Sequence, residues 1–265
     1  MLVALDTSTR FAGLALAENG NIVAELNWEV GQRHSTELLE RLEWLLKLHD
    51  IQPGELTGIA VATGPGSFNG VRVAVTAAKA LALAWEIPIY AHCTLDCIAW
   101  GAAFSDRTVW AILDAGRGQV YAARYRTPAH SAADWHPEDG YHVLTPAELA
   151  SRFDQPTLIC GEWLPVTQTT LEHTAQDVRF ASKFASRRAG WLAELALARA
   201  STGSHADPAT VEPLYLRKPA ITRSSKPGLE RKETGGAIDH SHPGESMQSM
   251  RSARQGEGTP HALRS

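Results

Sequence analysis

Residues 63–72, TGPGSFNGVR, constrain the fold of this chain more than any other stretch. Gly64, Pro65, Gly66, Ser67 and Gly70 form a loop that ends on Asn69-Gly70 and runs straight into an alanine-rich apolar segment. Such a loop can cradle a phosphate with its backbone N–H groups. It can also be a tight turn that lets a helix approach a sheet, or a turn that presents the next helix to a partner. The Lys and Ser/Thr of a P-loop are missing at their required spacing, as is the G-x-G-x-x-G order. Ser67 has no identifiable base beside it and no nucleophile-elbow sequence around it, so it reads as a turn residue. Asn69 can cap the helix that follows.

Hydrophobic patterning supplies the frame. LVAL (2–5), FAGLALA (11–17) and IVAELNW (22–28) read as strands, the last two joined by a hairpin at Glu18-Asn19-Gly20-Asn21. Leu38, Leu39, Leu42, Leu45 and Leu46 fall on one face of a helix over 35–48 that Ser35 can cap. TGIAVAT (57–63) suits a strand in the middle of a sheet. A helix over 70–85, a strand IPIYA and a helix over 94–104 follow. TVWAILDAGRGQVYAARY (108–125) then starts the plan again as strand, turn, strand. VALD at 3–6 and AILD at 111–114 place Asp6 and Asp114 alike, which suggests a duplication. Residues 127–142 read as loop. Thr145-Pro146-Ala147-Glu148 is a capping box, TLICGE (157–162) a strand, and 186–200 a helix.

The organisation expected is a lobe over 1–104, a second over 105–218 whose helix 186–200 packs back on the first, and a disordered basic tail over 219–265. From Arg217 onward there are 9 Lys/Arg against 5 Asp/Glu, which leaves 16 against 24 in the body. An acidic body repels a polyanion and argues against a protein that grips nucleic acid alone. Cys93, Cys97 and Cys160 are too few for a disulfide framework and fit a reducing compartment. The first residues carry no basic stretch of a signal peptide, and Lys79 and Glu86 interrupt the longest apolar run, so no membrane anchor is expected and the location expected is cytoplasmic.

The 70–85 helix is apolar around most of its circumference, with Val71, Val75, Ala78, Leu81 and Ala82 on one stripe and Val73, Ala77 and Ala80 on others. Such a helix is buried on two sides, one against its own sheet and one against a partner. Leu38, Leu39 and Leu42 of the neighbouring helix, with Val71, Val75 and Lys79, are the candidate contacts. Arg72 would be a polar anchor, and His34 is either a partner contact or a surface residue.

ALDTST at the start, HSTELLERLEWLL (34–46), GPGSFNGVRVAVTAAKALA (64–82), DAGRGQVYAARY (114–125) and EPLYLR (212–217) occur in that order. In this the chain resembles the TsaB (YeaZ) family over residues 1–218, with Asn69 standing where that family usually has Thr. The resemblance implies a two-lobed actin-like, sugar-kinase-like (ASKHA) α/β fold. It implies a non-catalytic subunit that pairs with a catalytic, metal-bearing TsaD-like paralogue and a TsaE-like ATPase. Their task is threonylcarbamoyl transfer to the adenosine beside the anticodon in tRNAs reading ANN codons. Contact with tRNA would come only through the complex, the two leucine-rich helices would form a four-helix interface, and homodimers would form when the partner is absent.

In this fold Asp6, Thr7, Ser8 and Thr9 sit where nucleotide phosphate is held, with Asp114 as a second carboxylate. The other reading is that each Asp bonds turn amides and fixes its own hairpin. ATP or ADP at the subunit boundary is the cofactor the resemblance leaves open. The paralogue's His-x-x-x-His pair falls at Thr94 and Ile98, which cannot bind metal. His92, Cys93 and Cys97 are nearby, but Cys93 and Cys97 read as core. No catalytic residue and no metal are expected. The rival readings are an actin-like small-molecule kinase, a metal peptidase, and a homodimeric nucleotide-binding module.

Overall fold

The computed structural model describes residues 1–30, 34–174, 177–182 and 188–217, without the side chains of 34–36. The tail expected over 219–265 lies outside these residues, as does the side chain of His34, and Ser35 stands within the first helix, which begins at His34, and not at its cap position.

Two runs of strands share one plan. β1 (Leu2–Asp6), β2 (Phe11–Glu18) and β3 (Asn21–Glu29) form an antiparallel meander. The β2–β3 turn places Asn19 and Gly20 at φ 50° and 79°, the left-handed pair that a two-residue hairpin needs. After α1 (His34–Leu48), β4 (Gly58–Ala62) returns parallel to β1. After α2 (Phe68–Trp85), β5 (Ile89–His92) lies parallel to β4. The sheet order is β3-β2-β1-β4-β5.

α3 (Thr94–Trp100) leads to β6 (Thr108–Gly116), β7 (Gln119–Tyr125) and β8 (His142–Leu144), a second antiparallel meander. α4 (Pro146–Ala150) begins with the expected capping box. β9 (Thr157–Glu162), α5 (Pro165–Thr174) and β10 (Val178–Phe180) follow. The order β10-β9-β6-β7-β8 is the first sheet's order read from the other edge. α6 (Ala189–Ser201) is the last helix among the described residues. Both sheets carry helices on their faces and repeat one topology, so the fold is the two-lobed actin-like, sugar-kinase-like α/β fold.

The period of two along each strand sorts the core into layers. Val3, Leu5, Leu14, Leu16, Ile59 and Val61 face α1 and α2. Leu2, Ala4, Ala15, Ala17, Ala60 and Ala62 face the other way, into the cluster that holds α3, α6 and one face of β6 and β7. The small side chains there let α6 lie close. A Cβ on Gly13 would stand 3.0 Å from that of Ala189. Trp110, Ile112 and Ile159 pack the outer face of the second sheet under α4 and α5.

Three elements carry no clear sequence signal. β8 and β10 have three residues each, too few for alternation to register. α5 is PVTQTTLEHT, poor in helix formers; Thr169 and Thr170 donate back to the carbonyls of Pro165 and Val166. α2 starts at Phe68, two residues before the expected start. Its cap is Ser67, whose hydroxyl accepts from Gly70 N–H, and not Asn69. α3 stops at Trp100 and not at 104.

Candidate functional site

The glycine loop is a close-packing device. Ser67 N–H donates to the Ser8 carbonyl at 2.6 Å, and the Thr7 hydroxyl donates to the Gly70 carbonyl at 2.6 Å. A Cβ on Gly66 would lie 1.9 Å from the Ser8 carbonyl oxygen, and one on Gly70 2.0 Å from that of Thr7. The β1–β2 turn therefore rests directly on the loop backbone. Gly64, at φ 103°, accepts from Thr94 N–H, and Pro65 is buried beside it. The loop thus ties the turn after β1, the start of α2 and the start of α3 to one point.

A cleft of ≈ 900 Å³ lies beside that point, with Asp6, Phe11 and Trp28 on one side and Asp114, Glu162 and Trp163 on the other. It is where an actin-like fold would place a nucleotide. The phosphates would need N–H groups or cations. The Thr7 hydroxyl is buried and committed to Gly70. The Ser8 hydroxyl and amide both donate to Asp6 Oδ1, at 2.6 and 2.8 Å. Thr9 donates to Glu162 Oε1 at 2.9 Å, across the two sheets. Asp114 accepts from Gly116 N–H and so fixes its own turn. Arg10 and Arg188 line the cleft but face Glu29 and Glu25. Among the described residues, those that line the cleft are engaged within the fold and do not present a polyphosphate with a ready set of donors. Asp6, Thr7, Ser8, Thr9 and Asp114 instead serve turn and inter-sheet contacts.

The face expected to meet a partner needs correction residue by residue. Leu38, Leu42, Val71 and Val75 are buried in the chain's own core against the first sheet. They fill the inward stripes and cannot line a docking surface. Outward on the same helices stand Leu39 (47% exposed), Trp44 (53%), Leu48 (59%) and Leu83 (65%). Val73, Thr76, Ala77, Ala80 and Ala84 continue the outer face of α2 at helical spacing.

The two cations assigned to that face are held from within. Arg72 Nε donates to the Tyr215 hydroxyl at 2.7 Å, and its guanidinium stacks 3.7 Å from the centre of the Phe68 ring. Lys79 Nζ donates to the carbonyls of Ala209 and Val211. Residues 206–217 form a strap that sequence reasoning missed. It bridges Ile89, gives Leu214 N–H to the Thr63 carbonyl, and anchors Arg217 on the Ala115 carbonyl.

The most perturbed carboxylate lies elsewhere. Asp96, buried on α3, accepts from the Tyr125 and Tyr141 hydroxyls at 2.7 and 3.0 Å, and its backbone carbonyl takes the Trp135 indole N–H. Burial pushes its pKa up to about 6, against the lowering effect of the tyrosine hydrogen bonds. His92 is driven the other way, to about 3, by burial and the Arg199 charge, and is neutral at ordinary pH. Among the described residues no three His, Cys, Asp or Glu side chains are grouped to hold a metal. Cys93 and Cys97 are buried free thiols in the core.

The Asp96 shift has a sign. Its native pKa lies above the unfolded value near 4, so between pH 4 and 6 the folded chain keeps a proton that the unfolded chain has lost. Stability from this group is full below pH 4 and is lost as pH rises to 6, about 3 kcal/mol over the interval. Asp96→Asn keeps an acceptor for both tyrosines and removes the buried charge. Urea unfolding from pH 4 to 8 is expected to lose this downward slope and to show Asp96→Asn more stable than the parent at pH 7.5.

Comparison with known proteins gives the site its context. The family model for TsaD, the tRNA N6-adenosine threonylcarbamoyltransferase, matches residues 26–150. The "tRNA threonylcarbamoyladenosine biosynthesis protein TsaB" of Bacillus subtilis is 34% identical over 160 residues, which span 60% of this chain and 70% of that protein. The chain belongs to the TsaB family. The TsaB protein of Escherichia coli is 32% identical over 168 residues, covering 62% of this chain and 70% of that one. YeaZ from Pseudomonas aeruginosa superposes with a TM-score of 0.69 at 25% identity, covering 81% of this chain and 99% of its own. The TsaB match bears out the resemblance read from the sequence. No helix among the described residues is long and apolar enough to cross a membrane.

Proposed function

We propose that this chain serves tRNA threonylcarbamoyladenosine biosynthesis as a non-catalytic scaffold and activator. It would hold a TsaD-like catalytic paralogue through the outward faces of α1 and α2. The observation that carries the reading is the run Leu39, Trp44, Leu48 and Leu83 standing outside a core that is already complete without them. α1 and α2 pack on the same face of the first sheet, and all four side chains lie off the stripes that the two helices bury against it. Each is about half exposed, so covering the rest would contribute about 1 kcal/mol apiece, which favours association over exposure to water.

The same face would pair two copies when the paralogue is absent. A TsaE-like ATPase would join the heterodimer, any ATP or ADP would sit at the subunit boundary, and tRNA would be met through the complex, in the cytoplasm. The test is reconstitution of threonylcarbamoyl transfer with the TsaD-like enzyme, with and without this chain. A rate that depends on the chain supports the proposal; full activity without it rejects the role.

A further inference from the structure

We propose that Arg72, held by Phe68 and Tyr215, is the point on the outward face of α2 that recognises a carboxylate of the docking partner. The inference rests on the docking proposed above and adds the charge that the partner brings to it. Arg72, Thr76, Ala80 and Leu83 are all exposed and follow one another at three or four residues, so Arg72 shares a stripe with the apolar side chains of that face. From Arg72 to Leu83 the helix rises about 16 Å, a length that one helix of a partner can cover.

The Arg72 side chain is fixed in one orientation. Nε donates to the Tyr215 hydroxyl at 2.7 Å, and the guanidinium carbon stands 3.7 Å from the centre of the Phe68 ring and 5.8 Å from that of Tyr215. The two rings touch, with 5.2 Å between centres. Tyr215 is itself held, because the strap is pinned on either side of it. Leu214 N–H donates to the Thr63 carbonyl at 2.7 Å, and Arg217 donates to that of Ala115 at 2.9 Å. These contacts occupy Nε and the flat face of the guanidinium. Among the described residues no hydrogen bond or ion pair takes its two terminal nitrogens. Seven other arginines among the described residues stand in ion pairs with Asp or Glu; Arg72 does not.

Terminal N–H groups held in one plane match a carboxylate through two parallel hydrogen bonds. An RNA phosphate has the same local fit. The body of the chain before Arg217 carries 16 Lys/Arg against 24 Asp/Glu, however, and repels a polyanion. A single carboxylate set in a protein surface meets no such barrier. The apolar side chains on the same stripe would keep water from the pair once covered, and Arg and Tyr are among the residue types on which interface energy concentrates.

Isothermal titration of the full chain with its TsaD-like partner, without tRNA, reads the affinity. Arg72→Ala is expected to weaken it at least about tenfold. Arg72→Lys keeps the charge but loses the planar fork, and should weaken it about threefold. Tyr215→Phe keeps the ring and releases Nε. It should cost about threefold in the parent and nothing further in the Arg72→Ala background, a dependence that a general loosening of the strap would not show. Carbodiimide coupling of the complex then locates the acid. Arginine does not couple, whereas the amine introduced by Arg72→Lys should form an amide with an Asp or Glu of the partner, found by mass spectrometry. The proposal is overturned if Arg72→Ala binds as tightly as the parent, or if the amine couples only to acids of this chain. It is also overturned if affinity falls only when tRNA is present, since the group met would then be a phosphate. Leu83→Glu, run in parallel, separates this from the docking itself. Loss of binding from Leu83→Glu with none from Arg72→Ala rejects carboxylate recognition alone; no loss from either rejects the docking face and this proposal with it. A thermal unfolding profile that matches the parent's establishes that Arg72→Ala is folded; if it does not match, the coupling of Arg72→Lys decides the matter.

Discussion

Gly66→Ala is expected to destabilise the fold severely. The added methyl would stand 1.9 Å from the Ser8 carbonyl oxygen, inside any real contact distance, and the obstruction is backbone that cannot rotate aside. Moving the β1–β2 turn away would break the Ser67 N–H bond to Ser8 and pull Thr7 off Gly70. Overpacking of this kind, with loss of buried hydrogen bonds, costs about 3–5 kcal/mol. That is a large part of the roughly 5–15 kcal/mol by which domains are stable. Urea unfolding should show a midpoint collapse for Gly66→Ala and for Gly70→Ala. Gly54→Ala, where nothing lies within 4 Å of the added atom, should change stability by less than about 0.5 kcal/mol. If Gly66→Ala unfolds like the parent, the loop is not the packing point described.

Leu83→Glu is expected to abolish association and spare the fold. The side chain is 65% exposed, so a carboxylate there stays in water in the lone chain and costs little. In a complex that covers the outward face of α2, the same charge would be buried without a partner, at about 3 kcal/mol or more. Sedimentation of the chain with its TsaD-like partner should show affinity reduced by about 100-fold or more. Trp44→Glu on α1 should act alike. Val75→Glu is a contrast: it places a charge in the core under α2 and should unfold the chain itself. Equal loss of binding from Leu83→Glu and Val75→Glu, with both folded, would mean that the inward stripe meets the partner after all.

The succession of strands and helices along the chain and the doubling of the plan could be read from the sequence because both are local. Alternation, a left-handed hairpin pair and an Asp at the end of two buried strands each lie within a few residues. The outward face of α1 and α2 could not be read in the same way. α2 is apolar around most of its turn, and periodicity alone does not say which apolar stripe the sheet takes. Val71 and Val75, branched and bulky, went inward, and the smaller Ala80 and the long Leu83 were left outside.

The bonding at the cleft was hidden for a different reason. DTST reads as a row of available donors, but the groups that satisfy Thr7 and Thr9 come from Gly70 and Glu162, 63 and 153 residues away. The same distance hides the strap, whose Tyr215 and carbonyls bond Arg72 and Lys79. Glu162 did have a signal. It ends a parallel strand beside the one that carries Asp114, and groups at such strand ends converge on one crevice. Asp96, a single acid within TLDCIAW, had one too, since a buried carboxylate demands donors and the tyrosines that supply them lie further along the chain.

Hydroxyl-radical footprinting of the chain alone and with its TsaD-like partner tests the proposed docking face most directly, because it reads side chains and not backbone. Trp44 and Leu83 should be labelled in the lone monomer at low concentration and strongly protected in the complex, while Leu164 at the cleft stays labelled in both. Unchanged labelling of Trp44 and Leu83 in a complex that demonstrably forms would contradict the account.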